Sequence, residues 1–179
     1  MVLAKVSYLD QAARTLLIEA LNLGLDHNGN GPVFICIGSD RHLLDSFGPL
    51  TGTMLQTCAP GLSVYGTLDH PLHAGNLLSG LKQARQQHAG KMIVAIDASV
   101  GREEEIGWLQ IRQGGLVPGK AMAKNLPTVG QMAITGVVDV RRGQRWLGTP
   151  KHPGLALVYN MAALLSSTIG EWFNHRYPV

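Results

Sequence analysis

Three apolar, strand-like runs of this chain are followed by an aspartate, either directly or within a few residues. The aspartates are Asp40, Asp45, Asp97 and Asp139. In the common order of a doubly wound sheet, the strand before Asp45 and the strand before Asp97 are neighbours, so both carboxyl groups would lie at one sheet edge. Two carboxyl groups that close cannot both ionise easily, and the proton they share leaves one acid and one base. The pattern therefore predicts an aspartate pair that activates water against an amide.

Both aspartates also have an interpretation without catalysis. An aspartate directly before a helix is a favoured N-cap, and Asp45 precedes the helix predicted at 46–58. Asp97 would then anchor a loop through hydrogen bonds to nearby backbone groups. The residues alone leave these alternatives open, and only the joint placement of the two carboxyl groups favours catalysis.

A second polar cluster follows another strand-like run, at Asp69, His70 and His73. Carboxylate and imidazole groups are ligands for zinc or nickel. Three residues in one turn do not define a closed metal site, and the same cluster fits a surface turn before a helix. Asp69 and His73 are therefore the candidate ligands for zinc or nickel, and without such a metal no cofactor is expected.

These side chains must be positioned by an alternation of short apolar runs and amphipathic segments. Apolar runs predict strands at 33–37, 62–68, 91–96, 106–111 and 132–138. Helical spacing of apolar residues predicts helices at 10–23, 46–58 and 73–88, and a long closing helix after Pro153. Repeated strand-then-helix units favour a parallel sheet covered on both faces. The expected fold is α/β, a three-layer αβα sandwich with a mixed, mostly parallel sheet.

Some local features refine this outline. Asp10 is expected to cap the first helix and Gly24 to end it. Leu78 is expected among the inward-facing leucines of the third helix. The connection before the strand at 106–111 is too short for a parallel crossover, so that strand is expected to be antiparallel to its predecessor or at a sheet edge.

The connection at 112–130 is too long to be idle in a compact domain, which makes it a candidate functional loop. Its lysines, Lys120 and Lys124, are expected to position a backbone or carboxylate group of a substrate. Asp40 and Asp139 are the other candidate substrate-binding residues.

Composition limits the class of protein. The 179 residues fit a single α/β domain, with a leading helix and turn at 1–31, a core at 32–140, and a loop and closing helix at 141–179. A net charge of +3 with scattered cations argues against a nucleic-acid partner. No apolar run approaches the roughly 20 residues that cross a bilayer, and the N-terminus lacks a secretory pattern. We therefore expect a cytoplasmic protein without a membrane partner, in which Cys36 and Cys58 are buried thiols.

Six motifs, in order along the chain, resemble the YyaC family of sporulation proteins. They are Cys36-Ile-Gly-Ser-Asp-Arg, Asp45-Ser-Phe-Gly-Pro-Leu, Tyr65-Gly-Thr-Leu-Asp-His-Pro-Leu-His-Ala, Ile96-Asp-Ala-Ser-Val-Gly-Arg, Leu116-Val-Pro-Gly-Lys and Asn125-Leu-Pro-Thr-Val-Gly. That family is similar to the germination protease that degrades spore proteins and, more distantly, to the hydrogenase maturation peptidases. The resemblance implies a phosphorylase/hydrolase-like fold and the cytoplasm of a spore-forming bacterium.

The resemblance also implies roles for individual residues. In the germination protease, catalytic aspartates lie in two motifs that match Asp45-Ser-Phe-Gly-Pro and Ile96-Asp97-Ala98 here. The hydrogenase peptidases bind nickel through acidic residues that correspond by position to Asp45 and Asp69, with a distal histidine for which His73 is the available substitute. The expected function is a spore-associated peptidase that uses Asp45 and Asp97 on a protein or peptide substrate, such as a spore protein. The alternatives are a non-catalytic sporulation protein that acts by binding and a metal-dependent maturation-type peptidase, and an oligomer is compatible with each.

Overall fold

The computed structural model describes residues 1–25, 31–118, 126–140 and 154–178. In these ranges the chain forms six strands: β1 (Val2–Ser7), β2 (Val33–Cys36), β3 (Ser63–Tyr65), β4 (Ile93–Gly101), β5 (Trp108–Gln113) and β6 (Met132–Val140). The helices in the same ranges are α1 (Ala13–Gly24), α2 (Phe47–Cys58), α3 (Leu77–Gln87) and α4 (Leu155–Arg176). Two 3-10 turns, Leu43–Asp45 and Glu103–Glu105, precede α2 and β5.

The six strands form one mixed sheet in the order β1-β5-β6-β4-β2-β3. The pairs β2–β3, β2–β4 and β4–β6 are parallel, whereas β5 is antiparallel to both β6 and β1. The expected mixed, mostly parallel sheet is confirmed. The neighbouring placement of β2 and β4 is confirmed as well, with Cys36 in register with Ile96. The antiparallel direction expected for β5 is also correct, but β5 is not at an edge, because β1 pairs with its outer side.

Two hydrophobic clusters, one on each face of the sheet, produce the three layers. Because side chains alternate along a strand, Phe34 and Cys36 of β2 pack into the cluster formed with α1, α2 and α4. Val33 and Ile35 point the other way, into the cluster formed with α3. All four side chains of β2 are buried, which explains why this strand is continuously apolar in sequence.

β1 is the element that the sequence analysis missed. Only Val6 of its six residues is buried, so the strand has neither a continuous apolar run nor a clear alternation. Its position is fixed by long-range pairing with β5, a contact that local periodicity does not reveal.

Two local predictions about the helices are wrong. Asp10 does not cap α1: Ala12 occupies the N-cap position, and its backbone N–H donates to Oδ1 of Asp10 at 2.8 Å. The prediction that Gly24 ends α1 is confirmed. Leu78 is 62% exposed instead of facing inward, whereas Leu77 and Leu81 on the same helix are buried.

β4 and β6 are longer than their apolar runs. β4 continues through Asp97 to Gly101, and β6 continues through Asp139 to Val140, because the two strands keep pairing with each other beyond the buried core. Asp97 and Asp139 therefore lie within strands, not directly after them. In the described part of the chain, no helix has the length and apolar character needed to span a membrane.

Candidate active site

The segment between β2 and α2 holds Asp45 in a tightly fixed turn. Gly38 has a φ of +146°, and a Cβ at this position would overlap the backbone oxygen of Asp45. The Ser39 backbone N–H donates to that same oxygen at 3.1 Å. Glycine at position 38 therefore allows the chain to fold back directly onto Asp45.

Asp45 is the last residue of the 3-10 turn and does not cap α2. Ser46 occupies the N-cap position, no side chain makes a capping hydrogen bond there, and the Ser46 hydroxyl donates to the Leu43 carbonyl oxygen at 2.6 Å. The interpretation of Asp45 as a helix cap is therefore wrong. Its carboxyl group is left for another role.

Two glycines of α2 bring this helix close to the end of β2. A Cβ on Gly48 would overlap the carbonyl oxygen of Ile37, and one on Gly52 would overlap the carbonyl oxygen of Gly66. Pro49 lies in the first turn of the helix, where its missing N–H leaves no internal bond unmade. These contacts hold the start of α2, which directly follows Asp45 and Ser46, against the chain just beyond β2 and β3.

Asp97 reaches the same region from β4, the strand next to β2. Its side chain lies on the sheet face that carries Ala95, which packs under α3. Thr135 of β6 is the register partner of Asp97 on the other side. Asp97 is half-buried and lies just beyond the register pair of Cys36 and Ile96, where β2 ends.

Electrostatics couples the two carboxyl groups. Burial raises the pKa of Asp97 to about 8, and the nearby charge of Asp45 adds to the increase. Burial also raises the pKa of Asp45, but the charges of His42 and His73 and a hydrogen bond from the Ser39 backbone oppose that increase. At neutral pH, Asp97 is therefore mainly the protonated partner and Asp45 is the group that ionises first.

His73 reaches Asp45 through the loop that follows β3. Leu72 forms an isolated parallel bridge with Ile37, and the Gly38 N–H donates to the Leu72 carbonyl oxygen at 2.8 Å. This pairing lays the next residue, His73, beside the turn that holds Asp45. The Gly75 N–H donates to Nδ1 of His73 at 3.1 Å, which holds the imidazole ring beside the loop.

The predicted metal ligands are not assembled into a site. In the described ranges, no group of three His, Cys, Asp or Glu side chains is close enough to hold a metal ion. Asp69 and His73 are both exposed. These side chains do not fit a zinc or nickel centre, although His73 does contribute to the electrostatics of Asp45.

Of the predicted substrate-binding residues, only the two aspartates, Asp40 and Asp139, are among the described residues, and neither is placed beside the pair. Asp40 is exposed in the turn before Asp45. Asp139 lies four residues beyond Thr135, roughly 13 Å along β6, and its Oδ1 accepts a hydrogen bond from the Val140 N–H at 2.8 Å. Lys120 and Lys124 lie outside the described residues.

His42 was missed by the sequence analysis. Its position three residues before Asp45, at the start of the 3-10 turn, was the available signal. One turn of a 3-10 helix has three residues, so positions 42 and 45 lie on the same side of the turn.

The comparisons with known proteins agree with this architecture. Residues 5–168 match the family described as a protein of unknown function, DUF1256. The protein described as uncharacterized protein YyaC of Bacillus subtilis (strain 168) is 35% identical over 178 residues, covering 96% of this chain and 86% of that protein. The crystal structure of a NiFe hydrogenase maturation protease, HycI from Thermococcus kodakarensis KOD1, superposes with a TM-score of 0.52 over 82% of this chain and 95% of that chain.

The identity to HycI is 17%, so that likeness shows a shared fold and not a shared activity. It confirms the expected α/β fold. The similarity to YyaC confirms the resemblance inferred from the six sequence motifs. Because the family match extends over nearly the whole length, this chain belongs to the DUF1256 family.

Proposed function

We propose that this protein is a peptidase in which Asp45 and Asp97 share a proton and hydrolyse a peptide bond. The electrostatic coupling of Asp97 in β4 with Asp45 in the 3-10 turn that follows the neighbouring strand β2 is the observation that carries the proposal. A pair of carboxyl groups whose pKa values are pushed apart supplies an acid and a base in one site. The peptidase-like fold shared with HycI is consistent with it.

In the proposed reaction, the Asp45 carboxylate accepts a proton from water as the water oxygen attacks the carbonyl carbon. Asp97 donates its proton to the carbonyl oxygen, which gives a tetrahedral diol. When the C–N bond breaks, Asp45 passes its proton to the amine nitrogen and Asp97 recovers a proton from a diol hydroxyl. Both aspartates return to their starting states, and the products are an acid and an amine.

Covalent catalysis through Cys36 does not fit the structure. The Cys36 thiol is fully buried, and burial raises its pKa far above its usual range. A buried, protonated thiol is inert as a nucleophile. Attack by water activated by the aspartate pair is therefore the chemistry that these side chains favour.

The proposed substrate is a protein or peptide of the spore, which rests on the resemblance to the YyaC family of sporulation proteins. The assay is incubation of the purified protein with a mixture of small spore proteins, followed by mass spectrometry of new termini. The native protein, Asp45→Asn, Asp97→Asn and Glu19→Gln are compared, because Glu19 is an exposed carboxyl group on α1.

We expect each aspartate variant to lower the turnover rate by about 100-fold or more, as for removal of a general acid or base, and Glu19→Gln to leave it unchanged. Turnover should also fall as the pH rises through about 8, where Asp97 loses its proton. Full activity of Asp45→Asn or Asp97→Asn would contradict the proposal. A native protein that binds the spore proteins without cutting them would instead support a binding role.

A further inference from the structure

The outer surface of α3 carries a groove separate from the aspartate pair. Its lining residues are Leu78, Leu81, Lys82, Arg85, Gln86 and Pro127, around an open volume of about 390 Å³. Residues of α3 that are three or four positions apart share one face. Leu78, Lys82 and Arg85 therefore form a stripe along the helix. Pro127 lies on the opposite wall, in the segment that leads to β6.

The groove combines an apolar anchor point with positive charge. Leu78 is 62% exposed, which is unusual because the neighbouring leucines of α3 are buried. Lys82 and Arg85 are exposed and have no ion pair with any residue of the described ranges, where the four ion pairs involve other cations. α3 itself contains no acidic residue. The stripe therefore offers two cations and a leucine to an external partner.

The shape of the groove limits the kind of partner. Leu78 and Gln86 are eight residues apart on the helix, so the stripe is roughly 12 Å long, which suits about two helical turns. Among the lining residues there is no aromatic side chain on which a nucleic-acid base could stack. A concave wall with a single exposed leucine also differs from the broad apolar face of a helix that lies in a membrane surface.

We propose that this groove docks an acidic amphipathic segment of a protein partner, with carboxylates against Lys82 and Arg85 and an apolar side chain against Leu78. Charge complementarity selects this occupant. α3 begins four residues after His73, so a docked segment would extend toward the loop beside Asp45. The docking does not depend on hydrolysis, and it is measured without turnover.

The probe is a fluorescein-labelled peptide in which leucine and glutamate repeat at helical spacing. Its counterpart carries lysine in place of glutamate, and binding is followed by fluorescence anisotropy. We expect the native protein to bind the acidic peptide more tightly than the basic one. Lys82→Gln with Arg85→Gln should weaken binding about fivefold or more, the effect of losing two exposed charge pairs, and Leu78→Ser should weaken it further.

Two control variants remove the same groups elsewhere. Arg14→Gln with Lys91→Gln removes two positive charges outside the groove, and Leu23→Ser removes a leucine that is 73% exposed on α1. Both should bind the acidic peptide as the native protein does. Circular dichroism confirms that every variant is folded.

Three outcomes would overturn the proposal. One is that the native protein does not bind the acidic peptide. Another is that the groove variants bind the acidic peptide no more weakly than their controls do. Binding would then depend only on the net charge of the protein. The last is that the native protein self-associates instead of binding the peptide and that the groove variants do not self-associate. The groove would then contact a second copy of the chain.

Discussion

The carboxyl group of Asp97 makes the free energy of unfolding depend on pH. Its pKa is raised from 3.8 to about 8 in the folded protein. Between these values the folded state binds a proton that the unfolded state has lost, so the free energy of unfolding falls as the pH rises. Above about 8 neither state holds the proton, and the decrease ends.

We expect Asp97→Asn to remove this pH dependence. Over that interval the native protein should lose up to about 1.4 kcal/mol of stability per pH unit relative to the variant, which is the linkage slope for one proton. Urea unfolding of both proteins across the interval measures the difference. Parallel stability curves for the native protein and Asp97→Asn would contradict the raised pKa.

At the same scale, His73 is one of two histidines whose charges oppose the increase that burial causes in the pKa of Asp45. The charge of His73 lowers the pKa of Asp45, by less than the charge of His42 does. His73→Gln should therefore raise the pKa of Asp45, as measured by carbon NMR of the carboxyl carbon. His70→Gln is the matched control, because His70 is exposed in the same turn and does not contribute to the pKa of Asp45. An equal effect of both substitutions would refute this role.

At the scale of elements, the packing of α2 against β2 determines where Asp45 lies. Gly48→Ala would place a methyl group on the carbonyl oxygen of Ile37, and the backbone cannot yield without moving the helix start. We expect a loss of about 1 to 3 kcal/mol of stability, typical of overpacking, together with reduced hydrolysis in the proposed reaction. Thermal unfolding and the peptidase assay test both effects.

Gly61→Ala is the control for this substitution, because a Cβ there meets the Phe173 ring at an ordinary 3.5 Å. It should change stability by only a few tenths of a kcal/mol, or increase it slightly by restricting the unfolded chain. If the two alanine variants unfold alike, the close approach of α2 to β2 does not matter for stability.

The elements also show what the sequence can and cannot predict. Periodicity was sufficient to predict β2 and α2, because buried strands and amphipathic helices have strong patterns. The neighbouring placement of the strands before Asp45 and Asp97 came instead from the common strand order of a doubly wound sheet. Periodicity could not decide whether the Asp45 carboxyl group caps α2, since that depends on the 3-10 turn before α2. It also stopped β4 at the end of the apolar run, although pairing with β6 continues through Asp97.

At the scale of the whole molecule, β1 shows the limit of local reasoning. Its six residues contribute one buried side chain, yet they complete the sheet beyond β5. Pairing across about a hundred residues is decided by the rest of the fold and is invisible in a short window. The neighbouring placement of β2 and β4 was easier to predict, because it follows from the common strand order of a doubly wound sheet.

The two hydrophobic clusters share their strands, so we expect the molecule to unfold as a single cooperative unit. β2, β4 and β6 each contribute side chains to both clusters, so the loss of either layer of helices exposes apolar side chains of strands that also form the other cluster. We expect one unfolding transition in urea, with far-ultraviolet circular dichroism and tryptophan fluorescence giving the same midpoint. Trp172 in α4 and Trp108 in β5 report on different layers. A fluorescence midpoint separated from the dichroism midpoint would show that the closing helix or the antiparallel edge unfolds by itself, and the single-domain prediction would then be wrong.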